Sequence, residues 1–103
     1  MKENINILNQ IFEIKQKLEQ LGITEKFNRN LARIENEFDA IGLIMINPAG
    51  EKYKETRTDL EANISGKETN NMFITNVIKP VIYLKKSGGN ELIQKGVVIV
   101  ENR

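Results

Sequence analysis

The chain has no cysteine, no histidine and no tryptophan among its 103 residues. Without cysteine there is no disulfide framework, no thiolate nucleophile and no sulfur-based metal site. Without histidine the usual general base at neutral pH, the Ser-His and Cys-His pairings and the commonest metal ligand all go. Carboxylate or lysine chemistry is what remains to an enzyme. Charge of one sign is lacking too: 15 basic residues stand against 14 acidic ones. Divided after Ala40, the two parts carry 6 basic and 7 acidic, then 9 basic and 7 acidic. Neither part is polarised enough to make nucleic acid or an anionic membrane the main partner. No apolar run approaches the ~20 residues of a membrane span, and the start lacks an apolar signal core, so the expectation is a cytoplasmic protein.

What is present changes character near residue 40. Ile7, Ile11, Ile14, Leu18 and Leu21 are spaced 4, 3, 4, 3, the rhythm of a helix with one apolar stripe. Lys, Gln and Glu fill the gaps, and Glu13 with Lys17 forms a favourable i,i+4 pair. Gly22-Ile23-Thr24-Glu25 then reads as punctuation. Gly22 suits a left-handed helix end, Ile23 its apolar contact, and Thr24 the cap of a new helix.

A second stripe follows at Phe27, Leu31, Ile34, Phe38 and Ile41, again spaced 4, 3, 4, 3 but out of register with the first. Two helices folded as a hairpin, or one helix kinked at the glycine, both satisfy this pattern. Two apolar stripes on so short a helical segment point to pairing between chains, a homodimer seam over Ile7, Ile11, Ile14, Leu18, Leu21, Phe27, Leu31, Ile34 and Phe38. The plainer alternative is that both stripes simply cover the rest of the protein.

From Ile41 onward the chemistry is β. Leu43-Ile44-Met45-Ile46 is a short apolar run closed by the turn signal Asn47-Pro48-Ala49-Gly50. Residues 51–57 read as a polar return segment, a strand or an extended edge. Leu60, Ala62 and Ile64 alternate with polar residues in a half-buried strand. Residues 72–86 are β-prone but broken at Pro80, which marks an edge, a bulge or a corner. Ser87-Gly88-Gly89-Asn90 is a hairpin turn, and residues 91–100 return as the last strand, with Gly96 allowing a bulge or close packing. The fold class is α+β: a helical dimerisation arm over 1–40, then a small all-β sandwich or barrel-like domain over 41–103.

Candidate chemistry is sparse, and neither a cofactor nor a metal site is expected. Gly50-Glu51-Lys52 lacks the spaced glycines and following helix of a phosphate loop. The densest polar cluster is Thr56 to Glu61. On an extended strand Asp59 and Glu61 share a face, with Arg57 alongside. That arrangement suits paired acid/base groups, a cross-linked polar surface, or a site that docks a basic partner. The expectation is a non-enzymatic protein that holds a partner.

Four stretches of the β region resemble GrpE, the nucleotide exchange factor of DnaK-type chaperones. Ile41-Gly42-Leu43-Ile44-Met45-Ile46 is similar to the family's first strand. Asp59-Leu60-Glu61-Ala62 keeps the Glu-Ala of its His-Glu-Ala segment. Val77-Ile78-Lys79-Pro80-Val81-Ile82-Tyr83 is similar to its hairpin strand, and Ile93-Gln94-Lys95-Gly96-Val97-Val98-Ile99-Val100 to its closing strand. The family histidine and Asp-Pro are absent, a proline interrupts the hairpin strand, and the helical region is shorter. The resemblance implies a non-catalytic co-chaperone that binds the nucleotide-binding domain of a DnaK-type chaperone and speeds ADP release. It places chaperone contacts at Tyr53, Ile78 and Val100. An adaptor gripping an unrelated protein is the alternative.

Overall fold

A computed structural model describes all residues, Met1–Arg103. Helix α1, Lys2–Leu21, stops where Gly22 turns left-handed, with φ 72°. The Gly22 N–H donates to the Glu19 carbonyl at 3.0 Å and the Ile23 N–H to the Leu18 carbonyl at 3.1 Å. This bond pair defines a Schellman end and requires the positive φ that glycine adopts without strain. Thr24 does not cap a helix: residues Thr24–Lys26 form one 3₁₀ turn, and helix α2, Asn28–Ala40, begins behind Phe27 with no side-chain cap.

The two helices form an antiparallel hairpin rather than a kinked rod. Lys15 of α1 reaches Glu35 of α2 at 3.7 Å, and Phe38 near the end of α2 packs on the cluster that holds Leu8 of α1.

The β region makes six strands: β1 Leu43–Ile46, β2 Leu60–Ser65, β3 Met72–Lys79, β4 Val81–Leu84, β5 Glu91–Gln94 and β6 Gly96–Asn102. They form two three-stranded sheets, ordered β1-β4-β5 and β2-β6-β3. All pairings are antiparallel except β2 with β6, which is parallel. Pro80 is the corner between β3 and β4. The expected single last strand divides at Lys95 into β5 and β6. One long hairpin therefore bends from one sheet into the other at two facing corners, Pro80 and Lys95. Gly96 sits inside the bend, where a Cβ would lie 2.9 Å from Leu60 Cδ2 and from Val81 Cγ2.

The polar return segment is an edge partner rather than a full strand. Gly50 N–H donates to Ile74 O at 2.8 Å, Ile74 N–H to Glu51 O at 2.9 Å, and Tyr53 N–H to Met72 O at 2.8 Å.

The helical segment is not a free-standing arm. Phe12 of α1 lies in the main core with Leu60, Met72, Ile74, Val77, Val81, Val98 and Val100, and Leu8 forms a second cluster with Leu43 and Ile82. The docked ridge is therefore Ile5, Leu8 and Phe12, offset from the heptad stripe. Polar side chains flank it and hold it down. Asn9 and Gln94 exchange amide hydrogen bonds of 3.0 and 2.9 Å, Gln94 also donates to Pro80 O at 2.8 Å, and Gln16 donates to Val77 O at 2.9 Å. The body is 18 Å thick in its shortest dimension, against 40 and 39 Å in the others. That thinness leaves room for little interior, and only 15 of 103 residues are buried.

Candidate functional site

Arg57 organises the cluster at residues 56–61, but not with the partners a continuous strand implies. Strand β2 begins at Leu60, so Arg57 and Asp59 sit in the loop before it. Arg57 Nε donates to Asp59 Oδ1 at 3.0 Å, Nη2 to Asp59 Oδ2 at 2.8 Å, and Nη1 to Glu51 Oε1 at 2.8 Å. Glu61 stays exposed on β2 and takes no part. The hydrogen bonds from Arg57 hold the Asp59 carboxyl below the usual carboxylate range, and the same pairing raises Arg57. A fully ionised, bidentate pair cross-links the loop from Gly50 to Asp59. It has neither the raised carboxyl of a general acid nor a second carboxylate facing a substrate cleft.

The residues the resemblance marks for chaperone contact do not share one surface. Tyr53 is half-buried against the main core, beside Met72. Ile78 is 49% exposed on β3, near Asn6, Asn9 and Glu13 of α1. Val100 is fully buried in the core. Its side chain faces inward because residues 96, 98 and 100 form the inner face of β6, so it meets no partner in this conformation.

The expected dimer seam divides in the same way. Leu31 is buried within the chain and Phe38 packs on the second cluster. Ile11, Leu18 and Ile34 are half-buried. Ile7, Ile14 and Leu21, one heptad apart, are 49%, 48% and 70% exposed, and Phe27 at the hairpin turn is also exposed. Seven-residue spacing keeps the first three on one side of α1, a line of about 21 Å at 1.5 Å per residue.

No polar or charged side chain is buried, and no trio of carboxylates converges in a metal-binding arrangement. No helix is long and apolar enough to cross a membrane. Two features carried no sequence signal. The amide contacts of Asn9 and Gln16 are visible only once the docked ridge is known. Glu55 and Glu68, far apart in sequence, meet closely enough that hydrogen bonding to Glu55 raises the Glu68 carboxyl above its ordinary range. No protein-family model, curated protein or solved structure matches the chain.

Proposed function

We propose that this protein acts by non-covalent binding of another protein, and in its most specific form as a GrpE-like exchange factor for a DnaK-type chaperone, paired through its helices. The observation that carries the binding reading is the exposed line Ile7, Ile14 and Leu21, on a helix whose opposite ridge is locked into the core. Large aliphatic residues exposed in line on one side of a helix are a candidate contact surface. The order of helices followed by a six-stranded β unit agrees with the layout the resemblance implies. In that mechanism the β unit binds the open form of the chaperone better than the closed one and shifts the equilibrium by that difference in affinity.

Two observations favour the adaptor as second reading. Val100, a contact position in the exchange-factor reading, is sealed in the core, and the helices fold back on the β unit instead of extending away from it. The test is binding to a purified DnaK-type chaperone, first without nucleotide and then with ATP. Retention followed by release supports the exchange factor. No binding, or binding indifferent to ATP, removes that mechanism and leaves the adaptor.

A further inference from the structure

Strand β2 has one bare edge. It pairs only with β6, along the register from Leu60 opposite Gly96 to Ser65 opposite Glu101, with no bulge. The Gly96 N–H donates to Asp59 O at 2.9 Å, which sets the phase of the parallel ladder. Residues 61, 63 and 65 then turn their N–H groups toward β6, and Leu60, Ala62 and Ile64 turn both N–H and C=O outward. No loop backbone or side chain hydrogen-bonds to those outward groups. The long β3 edge is treated differently: residues 50–53 pair with its first half, and Gln16 occupies Val77 O in its second. Folded proteins blunt such edges with lysine, proline, bulges or covering segments. Between Leu60 and Ser65 there is no lysine, proline or bulge, and the one charged side chain, Glu61, is acidic.

The inner face of the sheet next to Ile64 selects what fits this edge. Ile64 continues the inward row of Leu60 and Ala62 but is 43% exposed. With Tyr53 and Met72 it forms the apolar floor of a pocket of about 260 Å³, whose only charged lining residues are Glu55 and Glu68. Neither glutamate has a lysine or arginine within 4.0 Å, although six other carboxylates do have a cationic partner at that range. An apolar floor beside a pair of carboxylates with no cationic partner matches a lysine or arginine, whose aliphatic stem lies on apolar surface while its head stays polar.

We propose that the outer edge of β2 is a docking site for an extended, basic segment of a partner protein, added as a seventh strand. The segment hydrogen-bonds to Leu60, Ala62 and Ile64 through its backbone, lays an aliphatic residue against Ile64, and brings a lysine or arginine to the Glu55–Glu68 pair. Strand addition of this kind takes its affinity from main-chain bonds and its selectivity from alternate side chains. The site is separate from the exposed line on α1, and it stands whether or not the exchange-factor reading does.

The test uses the full chain labelled with ¹⁵N and a terminally blocked hexapeptide alternating valine and lysine. At millimolar peptide, hydrogen exchange at the Ala62 and Ile64 amides is expected to slow, with chemical-shift changes confined to β2, Tyr53 and the 66–70 loop. A valine–glutamate hexapeptide is expected to bind at least about tenfold more weakly. The lysine peptide N-methylated at alternate residues is expected not to bind, a result that leaves the protein untouched. Ala62→Pro removes an outward N–H and no ladder bond, as an edge position tolerates, and is expected to abolish binding in a folded protein. Equal binding of the acidic peptide, shifts confined to α1, or no slowing at Ala62 and Ile64 overturns the proposal. So does slowing that appears without peptide as protein concentration rises, which assigns the edge to a second copy of this chain.

Discussion

Two positions show what a single residue contributes to this fold. At Gly96 the bend between β5 and β6 presses the backbone onto Leu60 and Val81, both buried. Gly96→Ala forces those side chains apart in a packed interior, and the expected loss is about 1–3 kcal/mol, read as a lower urea midpoint. At Arg57 the side chain satisfies Asp59 twice and Glu51 once. Arg57→Ala leaves a partly buried carboxylate without its partner, for an expected loss of about 1–2 kcal/mol. The pH dependence follows from the lowered Asp59 carboxyl. Its stabilisation is fully present above the unfolded value of about 3.9 and disappears as pH falls through the lower folded value. Urea midpoints measured from neutral pH down to about pH 3 are expected to fall less steeply for Asp59→Asn than for the native chain. An equal slope in both would show that the pair does not stabilise the fold.

Helix α1 is the element whose two faces part company. Its Ile5, Leu8 and Phe12 ridge lies on the β unit, while Ile7, Ile14 and Leu21 stand in solvent. The difference is measurable by truncation. Phe12→Ala opens a cavity in the main core and is expected to cost about 3–5 kcal/mol. Ile14→Ala removes a half-exposed side chain, and for a single chain it is expected to change stability by at most about 0.5 kcal/mol. Light scattering completes the comparison: if the exposed line pairs two copies, Ile14→Glu with Leu21→Glu converts a dimer to a monomer that still melts cooperatively. An unchanged mass removes the helical seam from the proposal.

For the whole molecule, the change in secondary structure near residue 40 does not coincide with a boundary in the core. Both hydrophobic clusters need a residue of α1, and the amide pair of Asn9 and Gln94 spans the same division. Residues 41–103 made alone would expose the surfaces that Leu8 and Phe12 cover. In a body 18 Å thick there is no deeper layer to compensate. That fragment is expected to lack the amide shift dispersion of the full chain in solution, and adding a peptide of residues 1–21 is expected to restore it. A fragment that folds unaided would show that the helices are an attachment rather than part of the core.

Local chemistry alone determined much of this protein. Gly22 could end a helix, Pro80 could not continue a ladder, and the alternation from Leu60 to Ile64 could bury only one face, so helix end, corner and strand were all legible from single positions. The α+β class follows from the change of hydrophobic period near residue 40. Tertiary structure alone decided which ridge of α1 is buried, because both have helical spacing and only the sheets' shape chooses between them. It also decided the parallel pairing of β2 with β6, the inward fate of Val100, and the meeting of Glu55 with Glu68. Each of these depends on contacts between residues distant in the chain, and periodicity describes a segment's face without saying what lies opposite it.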